Sequence, residues 1–208
     1  MKKTKSFLLL FLGAVFIASA QYGMNTGSKV ILKSGDLKTI KSEKTIKVEY
    51  DYSNIKVGAF NSEAEYIDKK VKEYNAKEKG KGDKWKEGWI NARKDRYEPK
   101  FKELYNKGGQ KLGQSIDEST SGTKYTLIVK TTFIEPGYNI GISKKPAFVN
   151  FEFVFVETAN PSTVVCELYL NNVMGSQGMG FDYDVGSRVA ESYAKAGKML
   201  MAYILKSK

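Results

Sequence analysis

Two tryptophans lie one helical turn apart among basic residues, and this stretch is the part of the sequence best suited to binding a ligand. Trp85 and Trp89 can share one face of a helix, where aromatic rings beside cations stack on sugars or on nucleic-acid bases. The same spacing also suits a helix that docks its aromatic face inside the protein. The residues that we predict to contact a polyanion or another partner are Lys84, Trp85, Lys86, Trp89, Arg93 and Lys94.

A glycine-rich loop, residues 173–188, lies where a phosphate cradle would lie, between an apolar run and a helical pattern. Its glycines match neither the GxGxxG nor the GxxxxGK[ST] spacing. Asp182 and Asp184 stand at the start of the helical pattern, where a carboxylate caps the free N–H groups and repels an anion. We therefore interpret the loop as a strand-to-helix connection, with Asp184 or Asp182 as the N-cap and Arg188 placed to pair with Asp184.

Histidine is absent and cysteine occurs once, which excludes several catalytic chemistries. Without histidine the chain cannot be a Ser-His-Asp or Cys-His enzyme, and it lacks the commonest metal ligand. Cys166 falls on the apolar face of a predicted strand and is expected in the core. Asn171, Asn172, Asp182 and Asp184 offer fewer oxygens than calcium takes. We accordingly predict no metal and no cofactor.

Paired carboxylates are the catalytic chemistry that stays open, because two of them can cleave a glycosidic bond. Glu152 and Glu167 fall on adjacent predicted strands, on the face away from the phenylalanines, where solvated strand residues would also lie. A carboxylate-based hydrolase acting on a glycan is therefore an alternative to a non-enzymatic protein. The candidate carboxylates are Glu135, Glu152, Glu157, Glu167, Asp182 and Asp184.

The N-terminal residues have the three-part layout of a secretory signal peptide. Three lysines precede an apolar run of 11 residues, and small side chains lead to a cleavage position near Ala20/Gln21. The run is shorter than the roughly 20 apolar residues of a membrane helix, and no later segment reaches that length. We expect a periplasmic or extracellular product that is not a lipoprotein, because no cysteine stands at the cleavage position.

Positive charge is concentrated in one segment of the chain. Residues 69–111 hold 15 Lys and Arg against 7 Asp and Glu, whereas the rest of the expected mature chain is balanced. Such a segment can attract an anionic polymer or glycan, although interspersed acids also fit an ordinary solvated helix surface. Export disfavours a nucleic acid as the partner and favours an envelope protein or an envelope polymer.

Alternating apolar and polar residues predict strands on both sides of a helical segment. Strands are predicted at 45–52, continuing at 55–60, and then in three consecutive segments at 125–134, 150–156 and 163–170. The intervening helices are predicted from a capping box at Ser62 and Glu65, from Lys84 to Arg96, and from Pro99 through an apolar stripe ending at Ile116. A last helix is predicted from Asp184 to Leu205, with a row of small residues that would let it approach a sheet closely.

This order of elements predicts an α+β protein with an antiparallel sheet of about four to five strands, helices packed on one face and a long C-terminal helix. We divide the chain into a signal peptide (1–20), a leader that can supply an edge strand (21–44) and a single α+β domain (45–208). That domain contains the basic helical layer at 62–118.

The element order across residues 45–206 resembles small exported bacterial envelope proteins of the TolB N-terminal-domain type. The stretch FDYDVGSRVAESYAKAGKMLMAYI (181–204) looks like the closing helix of uncharacterised families of that type. The resemblance implies an envelope protein and carries no catalytic residues. The leading prediction is thus an exported, non-enzymatic binding or accessory protein, and a structural subunit of an envelope assembly is a further alternative.

Overall fold

The computed structural model describes residues 27–175 and 184–207, which form two layers, a sheet and a set of helices. The strands are β1 (Val30–Gly35), β2 (Thr45–Asp51), β3 (Lys56–Val57), β4 (Ser115–Asp117), β5 (Tyr125–Glu135), β6 (Tyr138–Asn139), β7 (Lys144–Lys145), β8 (Phe148–Glu157) and β9 (Val164–Met174). The helices are α1 (Lys38–Ser42), α2 (Glu63–Asn75), α3 (Lys81–Ala92), α4 (Glu98–Gly109) and α5 (Val185–Lys206), with a π-helical turn at Arg93–Tyr97 and a 3₁₀ turn at Gln110–Leu112.

The α+β class and the long C-terminal helix are confirmed, but the sheet is larger than predicted and is not wholly antiparallel. It has seven strands in the order β1-β9-β8-β5-β2-β4, with β3 also paired to β5, while β6 and β7 form a separate hairpin. The meander of β5, β8 and β9 is antiparallel, whereas β2 runs parallel to β5 and to β4. The helices between β2 and β5 return the chain to the starting end of the sheet, so β5 enters in the direction of β2.

One face of the sheet carries the core, as the alternation predicted. Phe151, Phe153 and Phe155 are fully buried on this face. Helices α4 and α5 cover it, and the ring of Tyr193 meets Phe151 edge-on with centroids 4.8 Å apart. The opposite face carries partly exposed charged side chains such as Lys130, together with the buried side chains of Val154 and Val156.

The helical layer differs from its prediction around Pro99. Instead of separate helices, α3, the π-helical turn and α4 follow one another without a break, and Ile116 lies in β4 rather than in a helix. Proline lacks an N–H group and its ring crowds the carbonyl four residues back. The backbone accommodates this by widening, and the N–H of Glu98 donates to the carbonyl of Arg93, five residues earlier.

Helix α5 begins at its predicted cap. The carboxylate of Asp184 accepts hydrogen bonds from the backbone N–H groups of Gly186 and Ser187, each at 3.2 Å. The expected pairing of Arg188 with Asp184 is wrong, because Arg188 is buried and donates to the carbonyl oxygen of Pro136. The loop between β9 and α5, including Asp182, lies mostly outside the described residues, as does the expected signal peptide.

None of the described helices combines the length and the apolar character that a membrane span requires.

Candidate functional site

Helices α2 and α3 form a helical hairpin, which we call the α2–α3 arm (63–92). Its two helices are joined by an aromatic cluster, in which Tyr66 lies 5.1 Å from Trp89 and Trp85 stacks on Trp89 at 5.7 Å between ring centroids. The helices approach closely at Gly82, where a Cβ atom would lie only 2.3 Å from the carbonyl oxygen of Val71. The two tryptophans therefore hold the arm together, with Trp89 buried and Trp85 half-buried.

The base of the arm is tied by a carboxylate on the first turn of α2. Glu63 accepts from the indole N–H of Trp89 at 2.7 Å and from the Arg93 guanidinium at 2.6 Å. The guanidinium also lies over the ring of Tyr52, 4.4 Å from its centroid. Trp89 and Arg93, two of the predicted contact residues, are thus engaged inside the protein.

The three predicted lysines are exposed, and they differ in their partners. The Lys94 ammonium lies 2.7 Å from a carboxylate oxygen of Glu98, a buried residue that also accepts from the Tyr52 hydroxyl at 3.3 Å. Lys84 and Lys86 form no ion pair with any residue in 27–175 or 184–207. These two cations are free to meet a ligand.

A cleft of about 440 Å³ lies between α3, the π-helical turn and the first residues of α5. One wall carries Lys84, Trp85 and Trp89, and the other side includes Asp184 and Gly186. The structure therefore brings Lys84 and Trp85 to a concave surface, whereas Lys86 and Lys94 do not line it.

The polar groups of the cleft carry charge of both signs. Glu87, Asp95 and Asp184 contribute carboxylates, and Lys84 and Arg96 contribute cations. Arg96 forms an ion pair with Asp184, and its Nη1 atom lies 3.2 Å from the Ser187 hydroxyl. The cleft is accordingly a mixed polar surface beside an aromatic ring rather than a uniformly basic groove.

Tyr97 adds an unusual group to the lining of the cleft. Its ring stacks on Tyr193 with centroids 4.9 Å apart, and its hydroxyl is buried with no hydrogen-bond partner among the described residues. Burial raises the pKa of this hydroxyl, so it stays a neutral donor. Tyr97 lines the cleft, but its hydroxyl oxygen has almost no exposed surface and is therefore not open to a molecule bound there.

Sequence reasoning missed Arg96, Tyr97 and the α5 side of the cleft. Asp184 was recognised as a helix cap but not as a wall of the site, because it lies 88 residues from Arg96 in the sequence. The sequence did contain one usable signal, the carboxylate of Asp184. A carboxylate that caps the start of a helix can also attract a cation from a neighbouring element.

Of the residues considered for catalysis, Glu152 and Glu167 are diagonal neighbours on the outer face of the sheet, since Glu152 stands opposite Tyr169 and Glu167 opposite Val154. Glu167 is already engaged by Lys33 at 3.2 Å. Cys166 is buried, and that burial raises the pKa of its thiol to about 12. No group of three potential metal ligands occurs among the residues that the structure describes. A carboxylate-based hydrolase stays a prediction.

Comparisons with known proteins found no matching protein-family model and no matching curated protein. Among solved structures, the chain is similar to a PelC dodecamer from Paraburkholderia phytofirmans, with 16% identity and a TM-score of 0.41 over 84% of this chain and 98% of that one. A single-substitution variant of that dodecamer has 15% identity and a TM-score of 0.39, again over 84% of this chain and 98% of that one. The resemblance to the TolB N-terminal-domain type stays a prediction.

Proposed function

We propose that the chain is an exported, non-enzymatic accessory protein of the envelope that binds a glycan segment in the cleft between α3 and α5. The observation that carries the proposal is the position of Trp85, whose half-buried ring lies in a cleft beside Lys84 and the side chains at the start of α5. The expected signal peptide supports the envelope location.

The chemistry of the cleft suits a sugar better than a simple polyanion. A pyranose ring offers a C–H face that can lie on an indole, and its hydroxyls can donate to carboxylates and accept from cations or amides. Asp95 and Asp184 lie in the same cleft as Lys84 and Arg96, so both kinds of hydrogen bond can form. A purely anionic polymer would meet repulsion from these carboxylates.

A sharp test uses the two tryptophans as the reporter, because both belong to the aromatic cluster of the arm. Neutral and anionic oligosaccharides, for example a chitotetraose and a tetragalacturonate, are titrated against the protein while its intrinsic fluorescence is followed. We expect a saturable change with at least one of them, and a roughly tenfold weaker affinity for Trp85→Ala, since stacking contributes about 1–3 kcal/mol.

The matched control reverses charge elsewhere on the same basic layer. Lys84→Glu is compared with Lys107→Glu, which lies on α4 and does not line the cleft. If the two reversals weaken binding equally, attraction is diffuse and the cleft is not the site. If no oligosaccharide changes the fluorescence, or if Trp85→Ala binds the oligosaccharide as tightly as the parent protein does, the proposal fails.

An anionic polymer held outside the cleft is the second candidate, favoured by the exposure of Lys84 and Lys86 without ion pairs among the described residues. Binding of this kind weakens steeply with salt and depends on Lys86 as strongly as on Lys84. Binding in the cleft depends on Lys84 but not on Lys86, which does not line it, and weakens less with salt.

A further inference from the structure

A short hairpin carries the most exposed apolar side chains that the structure describes. Between β6 and β7 the chain turns through four residues, and in this turn Ile142 is 99% exposed and Ile140 is 66% exposed. Tyr138, on β6, is 44% exposed. Scattered exposed isoleucines are ordinary, but here two share one turn next to an exposed tyrosine, which gives the hairpin an apolar tip.

The tip is held in place by hydrogen bonds of its own. The N–H of Ile140 donates to the carbonyl of Ser143 at 3.0 Å, and the N–H of Gly141 donates to the side chain of Asn139 at 3.0 Å. The hydroxyls of Tyr138 and Ser143 lie 3.2 Å apart. These hydrogen bonds define the conformation of the turn, and the two isoleucine side chains are directed away from the body of the protein.

The base of the hairpin is anchored in the core of the protein. The buried guanidinium of Arg188 donates to the carbonyl of Pro136 at 3.2 Å, two residues before β6. On the other strand, Lys145 pairs with the partly buried carboxylate of Glu135 at 2.7 Å. The apolar tip is thus presented from a rigid support, which lowers the conformational cost of docking it.

The charge of the hairpin indicates which kind of surface its tip can bind. Residues 136–147 contain two lysines and no acidic residue, and Lys144 is exposed directly after the turn. We propose that this hairpin docks the protein onto an anionic phospholipid bilayer, with Ile140 and Ile142 in the headgroup–acyl boundary, Tyr138 at the interface and Lys144 against lipid phosphates. Aliphatic residues with an interfacial aromatic and a flanking cation form the usual pattern of a peripheral membrane contact.

A protein partner fits this tip less well than a bilayer does. Stable protein–protein interfaces bury about 1,200–2,000 Å² in total, and a convex turn of four residues presents only a small part of that. A bilayer accepts a convex apolar tip without a matching groove.

The test measures binding to vesicles of phosphatidylglycerol and phosphatidylcholine by sedimentation, with pure phosphatidylcholine as the uncharged comparison. We expect binding to the anionic vesicles and at least a tenfold loss in Ile142→Asp. Because the Ile142 side chain is almost wholly in solvent, this change leaves the fold intact. The matched control is Ile31→Asp on β1, where the isoleucine is 54% exposed on the edge strand of the main sheet and outside the β6–β7 hairpin, and it should bind as the parent does.

A second measurement reports the depth of the tip directly. An environment-sensitive fluorophore on Ile142→Cys can be attached selectively, since the native thiol of Cys166 is buried. Its emission should shift to the blue on anionic vesicles and should be quenched by shallow spin-labelled lipids. Unchanged emission, or equal binding of Ile142→Asp and the parent protein, would overturn the proposal. So would a loss of self-association in Ile142→Asp with vesicle binding unchanged, because the tip would then be a protein contact.

Discussion

The guanidinium of Arg93 reaches the carboxylate of Glu63 at 2.6 Å, across 30 residues of sequence, and closes the base of the α2–α3 arm. Both side chains are largely withdrawn from water, with 19% and 16% of their surfaces exposed. Because a partly buried carboxylate that loses its cation keeps its desolvation cost, this contact should contribute more to stability than the surface ion pairs nearby.

Replacing Arg93 by methionine is therefore predicted to lower the free energy of unfolding by about 2 kcal/mol, as measured by urea denaturation. Lys100→Met is the control, because the pair of Lys100 with Glu103 is exposed on both sides and should contribute at most about 0.5 kcal/mol. Equal effects of the two changes would show that the base of the arm is not held by this contact.

The positions of the long strands β2, β5, β8 and β9 could be predicted from the sequence, but the short strand β4, which falls in a stretch predicted as helix, and the strand directions could not. The alternation in β5, β8 and β9 shows which residues face the core, since side chains on a strand alternate between the two faces. It says nothing about whether β2 runs with or against β5. That direction depends on the end of the sheet to which the intervening helices return the chain, and the helical pattern does not reveal this.

Part of the candidate site could likewise be predicted from the sequence, and part could not. Lys84 and Trp85 were identified because their types and spacing are visible within one helix. Arg93 has the same local signature, yet its charge is taken up by Glu63, and the opposite wall of the cleft comes from α5. Pairings between elements distant in sequence leave no periodic trace, so local patterns identify candidates but not their partners.

The carboxylate of Asp117 is predicted to make a pH-dependent contribution to stability in acid. Ser119 donates to its carboxylate through the hydroxyl at 2.5 Å and the backbone N–H at 2.9 Å, and Lys102 lies 3.1 Å away. These contacts lower the pKa of Asp117 to about 2, the serine hydrogen bonds being the largest cause. The unfolded value is about 3.9. The stabilisation is therefore present above about pH 4 and is lost as the pH falls towards 2.

The measurement is a carbon NMR titration of the Asp117 carboxyl. Its midpoint should lie near pH 2 in the parent protein and should rise in Ser119→Ala, with a smaller rise in Lys102→Met. An unmoved midpoint in Ser119→Ala would mean that the serine does not hold the carboxylate in its charged form.

Cys166 is predicted to be inert in the folded protein. Burial is the largest cause that raises the pKa of its thiol to about 12, and Asp36 and Glu167 add to it, so the reactive thiolate is scarce at neutral pH. Labelling by a thiol-specific disulfide reagent near pH 8 should be roughly 100-fold slower for the native protein than for the urea-unfolded chain. Rapid labelling of the native protein would show that the edge strand β1 separates readily from β9 and exposes the thiol.

Two glycines in helices are predicted to respond to alanine with opposite signs. At Gly197 in α5, a Cβ atom would lie 2.3 Å from the carbonyl oxygen of Phe101 and 3.2 Å from the backbone nitrogen of Tyr105. The close approach expected for the small residues of α5 is therefore made here to α4 rather than to the sheet. At Gly88 in α3, nothing lies within 4 Å of the added atom.

Gly88→Ala should raise the free energy of unfolding by about 0.5–1 kcal/mol, because alanine loses less backbone entropy than glycine on entering a helix. Gly197→Ala gains the same propensity but forces two backbones apart, which costs about 1–3 kcal/mol, so its net effect should be destabilising. Urea denaturation of both variants gives the comparison. If both changes stabilise the protein, α4 and α5 do not pack at this distance, and the helical layer covers the sheet more loosely than the structure shows.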